Sequence, residues 1–320
     1  MESKTIFQHR ETLWNISFGD PRAPAPRQPG QPLEPQVLLG HYTWTFSFSI
    51  PRYCIPIGFQ RAGESQTHKL PPSLSDGDGH ISYAIGVKVK RNTTFQPIHR
   101  LTTPFDYTPR SEPGAFSSLR QVAYRENTPL LGPDIDPEGW NVFPSVEVSG
   151  YDHHKFGRLK CSCTFALATP LSYTRGSVIP VMLMMESEDE KIFGAGLLSK
   201  SFFPQVKFSR TLRGRPDEVL ATWSVANAQH VPSPCRRVLY GEIKVPRELR
   251  PSFDFGPVYI KYMVGTSMFA SGAFIPDKEA TLFQAEVEIV TDYAPGPRPI
   301  RYHESQRDTL DDGRLATRQS

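Results

Sequence analysis

The sequence predicts an all-β chain with two β-sandwich domains in tandem, the first incomplete. Three observations predict it. Several segments alternate apolar and polar residues with a period of two, the signature of strands with one buried face. Proline supplies 31 of the 320 residues, against a usual share of about 5%; it removes a backbone donor and breaks helices. A block near residue 70 recurs near residue 250. No segment carries a 3.6-residue apolar stripe over three turns, so a helical fold is excluded.

In chain order, residues 1–20 read as a leading strand segment, with 5–18 mildly strand-like. Residues 21–39 form a proline-rich loop, with six prolines and no aromatic residue between 21 and 36. Residues 40–150 make the first, partial sandwich. Tyr42, Trp44, Phe46, Phe48 and Ile50 alternate with Thr43, Thr45, Ser47 and Ser49, which predicts a strand. A second strand follows, with Ile81, Tyr83, Ile85, Val87 and Val89 on its apolar face. From Asn92 to Gly139 prolines punctuate the pattern and no element is placed; Trp140 to Ser149 contains one more strand.

Residues 151–157 lie in a polar stretch flanked by Gly150 and Gly157, read as an interdomain hinge. Residues 158–292 form the second sandwich. Its seven expected strands cover 159–167, 177–185, 202–212, 219–225, 238–245, 258–268 and 282–290. Glu186 to Lys191 reads as a charged turn with a short helix to follow. Residues 293–320 have few apolar side chains and read as a disordered tail.

The repeat ties the two halves together. Ile50-Pro51-Arg52 is matched by Val245-Pro246-Arg247, Pro72-Ser73 by Pro251-Ser252, and Ile81 and Tyr83 by Ile260 and Tyr262. Pro72 precedes Ile81 by nine residues and Tyr83 by eleven, and Pro251 precedes Ile260 and Tyr262 by the same intervals. Matching order and spacing imply two copies of one domain plan.

The first block, HYTWTFSFSIP followed by LPPSLSDGDGHISYAIGVKVKR, resembles the amino-terminal domain of the arrestin-like family, in particular its fungal α-arrestins. LYGEIKVPRELRPSFDFGPVYIKYMV is similar to the matching part of the carboxy-terminal arrestin domain, and LSYTRGSVIPVMLMMES to the strand pair that opens it. The resemblance implies two immunoglobulin-like sandwiches forming a cytoplasmic adaptor. Such an adaptor binds cytosolic tails or loops of membrane proteins and links them to ubiquitination or endocytic trafficking. It is recruited peripherally to the plasma membrane or endosomes. No Pro-Pro-x-Tyr motif is present, so a ubiquitin ligase would be reached through an intermediary. The first domain also departs from the family by its shortness, and no cargo- or phosphate-sensing residues are carried over. Two alternatives stand beside this expectation: a retromer-type cargo clamp in vesicle sorting, and a β-sandwich enzyme with its site in the 92–139 loop.

The chain offers no strong chemical motif. His153, His154, Cys161 and Cys163 are zinc-ligand residue types, but one residue between the cysteines is too few for a structural zinc site, and parity puts both in the core. Asp76-Gly77-Asp78-Gly79 lacks the closing glutamate of a calcium loop and reads as a tight turn. The basic groups Arg236-Arg237 and Lys88, Lys90 and Arg91 read as solvated, with anionic lipid headgroups or a phosphorylated tail as the functional option. No catalytic, cofactor-binding or metal residue and no cofactor is assigned, and non-enzymatic function is expected. A formal net charge of +3 gives no nucleic-acid footprint. Four cysteines and no apolar leader suit a soluble protein of a reducing compartment.

Overall fold

The computed structural model describes residues 5–22, 38–55, 67–76, 79–91, 98–152, 158–188, 205–212, 218–229, 235–256, 258–267, 274–277 and 281–302. The chain divides into two compact units, Met1–Leu70 and Pro71–Ser320.

In the first unit the leading strand is not formed: the described part of residues 5–18 contains only a 3-10 turn, Ile16–Phe18. The Asn15 side chain caps it by accepting the Ser17 N–H at 2.9 Å. The strand expected over residues 42–50 is corrected too. These residues join no sheet. A strand needs a neighbour to take up its backbone donors and acceptors, and none is available among the described residues. The alternation survives without the ladder: Tyr42 stacks on Trp44 with centroids 5.6 Å apart, and Phe46 on Phe48 at 6.3 Å. The only pairing in this unit, among the described residues, joins β1 (Tyr53–Cys54) to β2 (His68–Lys69).

The second unit opens with two hairpins. β3 (Leu74–Asp76) pairs with β4 (Gly79–Ile81), and β5 (Tyr83–Val89) pairs with β6 (His99–Phe105), both antiparallel. Asp76 pairs with Gly79 at the end of the first hairpin, and residues 77–78 of the expected tight turn lie outside the described residues. Next comes a helix the sequence did not announce, α1 (Ser118–Glu126). Ser117 caps it, its hydroxyl accepting the Arg120 N–H at 3.2 Å, and Asn127 ends it in the left-handed region at φ 55°.

One large sheet follows. Its strands are β7 (Trp140–Val142), β8 (Val146–Asp152), β9 (Arg158–Ala168), β10 (Ser172–Thr174), β11 (Val178–Glu186), β12 (Lys207–Leu212), β13 (Glu218–Gln229), β14 (Arg236–Lys244), β15 (Phe253–Phe255), β16 (Val258–Ser267), β17 (Phe274–Pro276) and β18 (Thr281–Val290). Every strand expected of the second domain is among them, and the described residues of 202–212 begin at 205. The order is β10-β18-β16-β12-β13-β14-β11-β9-β8-β17, with β15 on β16 and β7 on β9. β13 makes the sheet continuous: its first half pairs with β12 and its second half with β14. The sheet curls back on itself. Phe165 of β9 stacks on Phe283 of β18 at 4.5 Å, although these strands lie far apart in the order.

Inside the curl sit Phe208, Tyr262, Val264, Ile243 and Leu239, all fully buried. β11 is buried on both faces over most of its length, as its near-continuous apolar run VIPVMLMM requires. Cys161 and Cys163 are core side chains, as parity indicated. Tyr151 and Asp152, at the start of the expected hinge, belong to β8, and Tyr151 pairs with Arg158 of β9. His153, His154 and the rest of 153–157 lie outside the described residues, as does 189–191 of the expected charged turn.

The expected disordered tail is corrected over residues 293–302. Ala294 is buried with Phe116 and Tyr124, and Ile300 and Tyr302 pack on the same cluster. The buried Glu242 carboxylate accepts the Tyr302 N–H at 3.1 and 3.2 Å. A few apolar residues suffice to dock this segment because Phe116 and Tyr124 present their rings to it. The remainder of the tail, 303–320, is outside the described residues.

The repeat is realised atom for atom around its two clamps. Ser73 donates its N–H to the Tyr107 carbonyl at 2.8 Å, and its hydroxyl accepts the Tyr107 N–H at 2.9 Å. Ser252 does the same to Ile289, at 2.8 Å in each direction. The Tyr83 hydroxyl donates to the Pro71 carbonyl at 2.5 Å and that of Tyr262 to Arg250 at 2.8 Å. Leu74 pairs with Ile81 as Phe253 pairs with Ile260, and Tyr83 with Phe105 as Tyr262 with Val287.

Candidate functional site

Equivalent positions in the two copies have opposite surroundings. On one face of the β5–β6 hairpin, Ile85 and Val87 stand beside Leu101 in register. Leu101 is 71% exposed and its counterpart Phe283 is 5% exposed; Ile85 is 37% exposed and Val264 is 0%. Val87 is 42% exposed, against 3% for Thr266. The same contrast holds in the first unit, where Trp44 and Phe48 are exposed while their counterparts Leu239 and Ile243 are fully buried. Solvated singly, such residues need no explanation; a contiguous apolar stripe marks a contact surface.

The cause lies in the sheet. β16 is paired on both edges, by β18 and by β12. β5 is paired with β6, and with no other strand among the described residues. The first copy thus keeps its clamp and two hairpins, and shows no counterpart of the strands that close the second among the described residues. On the opposite face of the hairpin Lys88 stands directly across from Arg100, both exposed. No carboxylate lies within ion-pair distance of either among the described residues. Like charges facing each other across a ladder are unfavourable.

A second concavity lies beside α1. A cleft of about 610 Å³ is lined by Leu119 and Val122 of the helix, by the following loop, and by Met182, Met184 and Val238 of the sheet. Arg236 at its rim is held by Glu186 at 3.2 Å and Asp134 at 3.4 Å, so its charge is already balanced. Arg237, the other half of the basic pair, is half-buried, and that burial lowers its pKa.

In the first unit, Arg22 lies over the Tyr42 ring at 3.7 Å, and the Tyr42 hydroxyl donates to Asp20 at 2.7 Å. Hydrogen bonds from the Arg22 backbone N–H and from Tyr42 hold the Asp20 carboxyl below its ordinary value. The group is a surface clamp on the chain before the aromatic ladder.

The arrangement is one of surfaces rather than reacting groups. Among the described residues no three His, Cys, Asp or Glu side chains converge to hold a metal ion. The Cys161 thiol donates to the Ser162 carbonyl at 3.6 Å, and the neighbouring Cys161 together with burial raises the Cys163 thiol. None of the described helices is long and apolar enough to cross a membrane. Neither the open hairpin nor the cleft was assigned from sequence. The repeat holds the signal for the first: one copy lacks strand-like segments that its twin has. No protein-family model matches the chain, and no curated protein matches it.

Proposed function

We propose that the chain is an arrestin-like adaptor: two immunoglobulin-like sandwich domains in tandem, the first incomplete, that bind cytosolic segments of membrane-protein cargo and connect them to ubiquitination or endocytic trafficking. Recruitment of a ligase runs through an intermediary, since the chain has no Pro-Pro-x-Tyr motif. The single observation that supports this most is the duplicated clamp with one copy left open. A closed copy supplies rigidity, and an open copy presents backbone edge and apolar side chains to a partner, which is how extended segments are captured.

The test is binding of the full chain to a panel of cytosolic tails from plasma-membrane transporters, followed by fluorescence anisotropy. Saturable, selective binding of at least one tail is expected. A folded chain that binds no tail overturns the proposal, and co-purification with vesicle-coat subunits instead of ligase components moves it to the cargo-clamp alternative.

A further inference from the structure

The second copy is a template for what covers the first. There β12 lies antiparallel along β16, with Leu212 opposite Ile260, Phe208 opposite Val264 and Lys207 opposite Gly265. Each of these β16 residues has its twin 179 positions earlier, so the same register falls on Ile81, Ile85 and Gly86. An antiparallel strand seated there completes the ladder beside β5, because a strand edge presents its backbone donors and acceptors at fixed spacing. Its alternate side chains emerge on the two faces of the hairpin. On one face they meet Ile85 and Val87; on the other they approach Lys88 and Arg100.

We propose that the outer edge of β5 is a docking edge for an extended segment of a partner protein. The segment is added antiparallel over Ile81 to Lys88, with apolar residues at every second position and acidic residues between them. Two features fix that chemistry. The apolar face is exposed where its twin is buried, so the positions facing it take Val, Ile or Leu. The lysine and arginine face each other with no carboxylate near them among the described residues, so the positions facing them take Asp or Glu. The proposal rests on the chain being a binding scaffold, and not on the partner being a membrane protein.

The probe is a synthetic fluorescent peptide, Thr-Val-Glu-Val-Glu-Val-Thr, titrated into the full chain, with a sequence-scrambled peptide as control. Saturable binding is expected for the alternating peptide and at least tenfold weaker binding for the scrambled one. Hydrogen exchange at Ala84 to Lys88 slows at least tenfold on binding, while exchange in β16 is unchanged. The exposed pair K88E/R100E weakens the peptide at least tenfold, and a peptide with lysine in place of glutamate regains affinity for that variant. Absence of saturable binding, protection confined to other residues, or indifference to the charge exchange each overturns the proposal. So does concentration-dependent protection of β5 without peptide, which assigns the edge to a second copy of the chain. Binding of transporter tails without binding of the peptide removes the edge and leaves the adaptor; the reverse result removes the adaptor and leaves the edge.

Discussion

Tyr262 and Tyr83 make the same hydrogen bond in different surroundings, so removing one hydroxyl at a time measures what the closed core adds. Tyr262→Phe keeps the ring, which stacks on Phe208 at 5.6 Å, and deletes the hydroxyl that donates to the Arg250 carbonyl and stands beside Arg210. A hydrogen bond contributes about 0.5–1.5 kcal/mol net, and a buried acceptor that loses its donor costs more. Tyr262 is fully buried, so a loss of about 1–2 kcal/mol is expected. For a unit of this size that is a melting-point drop of about 2–8 °C. Tyr83 is half-buried, and water reaches its corner, so Tyr83→Phe is expected to cost about half as much. Burial also pushes the Tyr262 hydroxyl up to about 12, above the usual tyrosine value of about 10. As pH rises past that unfolded value, the unfolded chain releases a proton that the folded chain retains. The contribution is therefore intact below about pH 10 and is lost as pH rises to about 12, amounting at most to about 3 kcal/mol. Urea unfolding followed by circular dichroism at pH 8 and at pH 11 checks both parts. Tyr262→Phe should lower stability at pH 8 and flatten its alkaline decline. A larger loss from Tyr83→Phe, or an alkaline decline unchanged by Tyr262→Phe, refutes the reasoning that the second copy is the closed one.

Gly176 and Gly256 separate backbone strain from crowding. Both adopt positive φ, 81° and 64°, but a Cβ at Gly176 falls 2.5 Å from Arg247 Cγ and one at Gly256 meets nothing within 4 Å. Gly256→Ala should cost about 1 kcal/mol, the left-handed penalty alone, and Gly176→Ala about 2 kcal/mol or more, both read from urea midpoints. Thiol labelling tests the burial pattern: Cys54, Cys161 and Cys163 are buried and Cys235 is half-buried. One fast-reacting thiol, lost on Cys235→Ser, is expected in the native chain, with all four cysteines reacting after denaturation; three or more fast thiols contradict the burial pattern.

Legibility in the sequence followed the physics of each segment. Period-two alternation located strands of the large sheet such as β9 and β18 because each has a face that water does not reach. The same rule failed over residues 42–50, where the alternation is present and no partner strand stands among the described residues: parity reports which side chains share a face and is silent on whether a ladder forms. α1 escaped notice for another reason. Its buried face includes Arg120, a charged residue 3% exposed. Arg120 stacks over Phe116 at 4.3 Å, donates to the Tyr124 hydroxyl at 2.9 Å and donates to the Thr169 carbonyl. A helix that buries a guanidinium cannot be found by counting apolar residues. The docked segment 293–302 was hidden for the same reason, because its anchor Glu242 is also a buried charge.

The open copy bears on how the fold divides its labour. In the second copy the clamp and the core act together, and either suffices to explain why β16 lies where it does. In the first copy the clamp at Ser73 and Tyr83 is present while the exposed face of β5 and β6 contributes little burial, so the corner carries a larger share of what holds the hairpin. A hairpin held this way leaves its apolar residues without the burial that stabilises them elsewhere, at about 25 cal/mol per Å². It also leaves Lys88 opposite Arg100 with no carboxylate within ion-pair distance among the described residues. Both deficits are removed by one event, the arrival of an amphipathic acidic strand. Two independent physical terms favouring the same ligand chemistry is the reason to assign recognition to this edge rather than to the cleft beside α1, where Arg236 is already paired with Glu186 and Asp134.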